Sequence, residues 1–310
     1  MSDVLLPTLA VLGTLLAGAA LVAVLDQAAA GVIAGGPFRG RLSAPLARAA
    51  LLWLRPDATT EHPDALLWRL APAAYLALAA LGLAVVPWSA EFVPVRLPTG
   101  VVLWGAVEAL ATVVIFLQGW APNAPLPLLG AYRHAAAGLS YILVSMFVLI
   151  AAALPAESLA FDAVVASQED LWNVVRQPLG LPLFLVVGLG IGVWGPLRFA
   201  DAADLAGGTT AETSGPRRLA WALARGAMLV AFSAVAASAF LGGWLGPWLP
   251  GPVWLLLKML LLLALLVLLG RLLARIAPGR FVGLAWLVLL PLSFADLLWA
   301  GVLALYGGTP

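Results

Sequence analysis

The chain has 310 residues, 63% of them hydrophobic and 10% charged, with a formal net charge of +1 and no cysteine. That balance excludes a nucleic-acid binder built on a basic surface, and the missing thiols exclude disulfides, thiolate metal sites and iron–sulfur clusters held by this chain. Eight apolar runs, at about 5–25, 67–86, 101–117, 135–153, 181–197, 219–240, 253–269 and 281–303, are predicted as membrane helices within a single membrane domain over residues 1–310. Some 20 residues rising about 1.5 Å each cross a hydrocarbon layer roughly 30 Å thick.

The first run follows Met1-Ser-Asp without a basic leader, so it is expected to stay as a helix. It ends at Asp26, which is expected at an interface rather than in mid-bilayer. The next loop carries Arg39 and Arg41, then Ser43-Ala-Pro-Leu-Ala-Arg-Ala-Ala-Leu-Leu-Trp-Leu-Arg55. A capping Ser43, an early proline, and Leu51, Leu52, Trp53 and Leu54 beside Arg48 and Arg55 predict an amphipathic helix at the membrane surface. It is either a packing element beneath the bundle or a wall of an entrance for a lipid-soluble substrate.

The third run holds Glu108, the seventh Lys258 and the eighth Asp296. Charge in hydrocarbon is costly unless paired or hydrated, so each must face protein or a polar cavity. Glu108 and Lys258 read equally as a structural pair or as part of a proton or ion route. Asp296 leans to a structural role, with Ser293 one turn away as a hydrogen-bond partner. The outer loop 155–178, with Glu157, Asp162, Glu169 and Asp170, reads as a solvated connector with one short amphipathic helix. Gly188-Leu-Gly-Ile-Gly-Val-Trp-Gly195 lacks the lysine and hydroxyl of a phosphate loop, and its glycines permit close packing or bending instead. His62 and His134 are too isolated to define a metal site, and Ser140 lacks a triad's base. No catalytic or metal-binding residue is assigned.

Thirteen of the sixteen basic residues fall in or beside the first, third, fifth and seventh loops: Arg39, Arg41, Arg48, Arg55, Arg69, Arg133, Arg198, Arg217, Arg218, Arg225, Arg271, Arg275 and Arg280. The other loops have only Arg96 and Arg176. The insertion bias puts the arginine-rich face in the cytoplasm, with both termini on the periplasmic or outer side of a multi-pass membrane protein.

Several ordered motifs carry a family resemblance: Gly119-Trp-Ala-Pro-Asn123, Leu128-Leu-Gly-Ala-Tyr-Arg133, Ser140-Tyr141, Ser214-Gly215, Phe240-Leu-Gly-Gly-Trp-Leu-Gly-Pro247, Pro250-Gly-Pro-Val-Trp-Leu-Leu-Leu-Lys258 and Trp286-Leu-Val-Leu-Leu-Pro-Leu292. Together the chain resembles the membrane subunit, called H or 1, of the proton-translocating respiratory NADH:quinone oxidoreductase, complex I. The resemblance implies an all-α, eight-helix scaffold without a redox group of its own. Its cytoplasmic loops would help enclose a quinone-access chamber, with quinone at the interface and iron–sulfur centres on partner subunits. The implied partners are soluble iron–sulfur and quinone-site subunits, other integral membrane subunits and lipids. By the same resemblance, Arg39, Arg41, Trp53 and Arg55 lie near the entrance, and Arg133 and Arg217 near the cytoplasmic side of the chamber.

The departures from the family pattern concern acids. Ile142 stands where the family has a glutamate after Ser-Tyr, and the acidic stretch near the fifth run keeps only Asp201, Asp204 and later Glu212. The early Glu-Arg-Lys pattern is Asp26-Gln-Ala. An isoleucine cannot exchange a proton, so the inherited route is expected to be degenerate or rerouted, with Asp26, Glu108, Lys258 and Asp296 as candidates to carry it. Two other readings stay open: the membrane anchor of a group 4 membrane-bound hydrogenase or formate-linked complex, and an autonomous transporter. The transporter is weakened by the absence of a visible inverted repeat.

Overall fold

The computed structural model describes residues 2–35, 43–201 and 207–307, so Arg39, Arg41 and Asp204 lie outside the described residues. The chain is all-α. Helix α1 (Ser2–Ile33) and a short α2 (Ala44–Leu54) precede α3 (Ala65–Ala84), α4 (Gly100–Trp120) and α5 (Pro125–Ala153). Two short helices, α6 (Phe161–Ala166) and α7 (Asn173–Arg176), lead to α8 (Gly180–Ile191), α9 (Gly215–Phe240) and α10 (Gly251–Leu272). The last helix is split into α11 (Pro278–Leu284) and α12 (Leu290–Gly307) by a π-helical turn at Ala285–Leu289. Pro291, just beyond that turn, has no N–H to give the Leu287 carbonyl, which accounts for the local widening.

Among the described residues, seven helices are long and apolar enough to cross a membrane. They correspond to seven of the eight predicted runs, and two extend well beyond them: α1 runs to Ile33 and α5 starts at Pro125. The remaining run, 181–197, is α-helical over the twelve residues Gly180–Ile191, roughly 18 Å at about 1.5 Å per residue, and adds only a 3-10 turn at Gly195–Leu197.

Helix α9 is the centre of the bundle. Every residue from Ala224 to Phe240 is buried, as expected of a helix surrounded on all sides by protein. Helices α1, α3, α8 and α10 pack around it. Small residues set the approach of α1: a Cβ on Gly18 would come 2.6 Å from Val230, and one on Gly226 3.1 Å from Ala19. Helix α8 runs antiparallel to α9, with Gly180 against Phe240, the Phe184 and Phe232 rings stacked at 4.4 Å, and Gly192 against Leu229.

The loop 155–178 keeps Glu157, Glu169 and Asp170 exposed and carries short helices, but part of it folds inward. Its Phe161, Val164, Gln168 and Asn173 are buried. Asn173 Nδ2 donates to the Ala152 and Ala239 carbonyls at 3.0 and 2.9 Å, and Gln168 Nε2 donates to Ser238 O at 2.9 Å. These amides satisfy carbonyls left over at the ends of α5 and α9, a need the loop sequence alone does not display. At the same end, Lys258 Nζ donates to Leu245 O at 2.7 Å and lies 4.3 Å from the Trp172 ring centroid and 5.7 Å from that of Trp254.

Candidate functional site

Helix α8 stops inside the bundle, and its termination builds the most polar part of the interior. Trp194 N bonds Leu189 O at 2.8 Å and Val193 N bonds Gly190 O at 3.0 Å, the paired bonds of a Schellman ending. The left-handed position of that motif is held by Val193, at φ 49°, where glycine is the usual occupant. The last carbonyls then need donors that lipid does not supply. Tyr75 Oη donates to Ile191 O. Arg225, ten residues into α9, donates from Nε to Gly192 O at 3.4 Å and from a terminal nitrogen to Val193 O at 2.6 Å.

The other terminal nitrogen of Arg225 pairs with Asp201, a buried contact. Asp201 also accepts the Thr209 and Thr210 hydroxyls at 2.8 and 3.3 Å. Burial by itself would raise the Asp201 carboxyl, but Arg225, the Thr209 hydroxyl and Arg198 outweigh it and hold the group below the usual carboxylate range. Backbone approach makes the arrangement possible. A Cβ at Gly130 would meet Ala200 O at 2.5 Å, and one at Gly119 would meet Pro127 O at 2.6 Å, so these two glycines admit Ala200, Gly208 and Thr209 against α4 and α5.

A second polar focus lies between α4 and α5. Glu108 is buried and accepts Trp104 Nε1 at 2.7 Å and Ser145 Oγ at 2.9 Å through one carboxylate oxygen; the other has no hydrogen-bond partner. Positions 104, 108 and 112 form one stripe of α4, and 134, 141 and 145 form the facing stripe of α5. Thr112 borders the Tyr141 hydroxyl, which lies 3.3 Å from His134 Nε2. His134 is buried within electrostatic reach of Asp201 and Arg225. Polar side chains therefore follow one another from the α8 ending to Glu108.

The sequence-predicted residues distribute unevenly around this chain of groups. Glu108 and Asp201 belong to it. Lys258 does not meet Glu108: its partners are the Leu245 carbonyl and the tryptophans described above. Asp296 is buried and accepts the Leu179 backbone N–H, while Ser293 donates to Leu290 O at 2.8 Å instead of to Asp296. Asp26 pairs with Arg271 through both carboxylate oxygens, at 2.6 and 2.5 Å. Arg217 donates to Asp57 at 3.1 Å and lies 4.3 Å from the Trp68 ring centroid. Arg133 donates to Gly207 O at 2.8 Å, and Glu212 lies in the turn before α9.

The surface helix α2 has no buried residue; Trp53 is 67% exposed and Arg55 is exposed. Ser43 precedes it without a side-chain cap bond. Sequence reasoning missed Arg225, His134 and Tyr75. Arg225 counts as a loop flank by position, although an arginine six residues inside an apolar run is itself a signal of a buried partner.

The chain matches the family model described as NADH dehydrogenase over residues 7–301. It is 32% identical over 257 residues to the H subunit, numbered 1, of the NADH-quinone oxidoreductase of Rhodopseudomonas palustris, covering 83% of this chain and 81% of the relative. It is 32% identical over 276 residues to the H subunit, also numbered 1, of the same oxidoreductase in Geobacter metallireducens, covering 86% and 83%. With the H subunit of the Geobacillus kaustophilus oxidoreductase it shares 32% identity over 257 residues, covering 81% and 77%.

Proposed function

The chain belongs to the NADH dehydrogenase family, and from that membership we propose how it works as a membrane subunit of an NADH:quinone oxidoreductase in the bacterial cytoplasmic membrane. It contributes a helical platform and part of a quinone-access chamber, while electron carriers reside on soluble partner subunits that dock on the arginine-rich face. The match along nearly the whole chain carries this reading.

Three finer features belong to the proposal. First, 181–197 acts as an eighth crossing, a half-length helix completed by irregular backbone; its antiparallel course along α9 supports this. Both termini then lie on the outer side, in line with the arginine asymmetry. Second, α2 lies on the membrane surface and borders the quinone entrance with Arg39, Arg41, Trp53 and Arg55, supported by its wholly unburied course. Arg133 and Arg217 line the cytoplasmic approach. Third, the proton route that Ile142 interrupts runs instead through Glu108, reached from Asp201 by way of His134, Tyr141 and Thr112. Support comes from the facing stripes of α4 and α5 and the unpartnered Glu108 oxygen.

The test uses the assembled complex in proteoliposomes, with quinone reduction and proton uptake measured together. Glu108→Gln preserves size and the Trp104 and Ser145 contacts but cannot release a proton. Protons translocated per quinone reduced, counted apart from the two consumed in forming the quinol, should fall, because the amide can neither take up nor release a proton. Unchanged coupling in that variant would remove Glu108 from the route.

A further inference from the structure

At the arginine-rich end, the close of α1, the loop after α8 and the end of α10 surround an open cavity of about 260 Å³ bordered by Asp26, Trp194, Arg198, Arg271 and Arg275. A second cavity, of about 200 Å³, shares Arg198 and Arg275 with it. The first cavity gathers three guanidinium groups around one carboxylate, and that carboxylate is already engaged on both oxygens by Arg271. Among the described residues, neither Arg198 nor Arg275 has a carboxylate within 4.0 Å, and Arg198 Nε is buried without a hydrogen-bond partner. Burial, reinforced by the charges of Arg225 and Arg275, pushes the Arg198 guanidinium down to about 10, so it stays cationic at neutral pH.

A half-buried Arg198 beside an exposed Arg275, neither with a carboxylate within 4.0 Å among the described residues, suits an anion with several acceptor oxygens, and the planar donor fork matches phosphate. The surroundings say what carries it. The cavity opens where α10 leaves its apolar run; Leu273 lines it at 48% exposure, and Leu272 next to it is 60% exposed. A polar, cationic mouth beside uncovered leucines at a helix end suits a molecule with an anionic head and an apolar tail. We propose that these joined cavities bind the phosphate of an anionic phospholipid, held between Arg198 and Arg275 with its acyl chains along the exposed leucines of α10.

The test places the assembled complex in nanodiscs of phosphatidylcholine containing spin-labelled phosphatidylglycerol, and reads the motionally restricted fraction against spin-labelled phosphatidylcholine. The wild type should prefer phosphatidylglycerol, with the preference falling about fivefold for each arginine replaced in Arg198→Gln and Arg275→Gln. Arg275 is exposed, so its single variant separates lost binding from lost folding. The double Arg198→Lys, Arg275→Lys variant should retain most of the preference. Equal restriction of both lipids, with radiolabelled inorganic phosphate bound and lost in the glutamine variants, would overturn the lipid and assign the site to a soluble phosphate. A preference unchanged in folded glutamine variants, or no binding of either probe, would overturn the anion site itself.

Discussion

Arg225 pairs with Asp201 and, with the same guanidinium, takes up the Gly192 and Val193 carbonyls at the end of α8. One buried cation therefore answers two needs created by ending a helix inside the bundle: unfilled carbonyl acceptors and a loop carboxylate folded back beside them. Removing either partner leaves the other without compensation, whereas the pair as a unit is far less costly.

Arg225→Met is expected to destabilise the protein by about 3–5 kcal/mol, because it strands Asp201 and bares two carbonyls. Asp201→Asn should cost less, since an amide still accepts the Thr209 hydroxyl. The two changes together should cost less than their sum. Thermal unfolding in detergent, arranged as a double-mutant cycle, measures the coupling; simple additivity would show that the pair does not act as one unit.

The same pair gives a pH dependence of definite sign. Asp201 is held below its unfolded value, so its contribution is fully present above the ordinary aspartate range and is lost as pH falls through the lower folded value. The stability gap between wild type and Asp201→Asn should therefore be constant around neutrality and close on acidification below about pH 4. A gap that widened in acid would contradict the ionised pair.

Gly195→Ala should be among the most damaging single-methyl changes. Gly195 has φ 56°, and a Cβ there would come 2.4 Å from Gly270 Cα, a backbone atom with no freedom to rotate aside. The left-handed conformation costs about 1–2 kcal/mol and the overlap about 1–3 more. Gly279→Ala, where a Cβ meets nothing within 4 Å, is the matched control in the same melting experiment.

Lys258→Met should lower stability by about 1–2 kcal/mol through loss of the tryptophan contacts and the bond to Leu245 O. Proton uptake per quinone should be unaffected, in contrast to Glu108→Gln. A coupling defect in Lys258→Met would show that the tryptophans around Lys258 conceal an ion pathway.

Much of the architecture is legible because lipid imposes simple demands. An apolar run must be long enough to cross, its backbone must bond itself, and cations gather on one side. Those demands are written in local composition, and seven of the long helices coincide with runs visible by eye. The run 181–197 shows the limit: hydropathy reports the solvent around a segment, not whether its carbonyls are met by its own amides or by Arg225 and Tyr75.

The sequence by itself determined the membrane class, the arginine-rich face and the family's motifs, since each depends on residues close together in the chain. Only the tertiary structure decided that Glu108 faces Ser145 rather than Lys258, that Asp201 meets an arginine 24 positions away, and that part of the loop 155–178 folds inward. A buried charge or carbonyl is tolerable only with a partner at hydrogen-bond distance. Which residue supplies that partner depends on how helices far apart in sequence rotate against one another, and hydrophobic runs leave that rotation open.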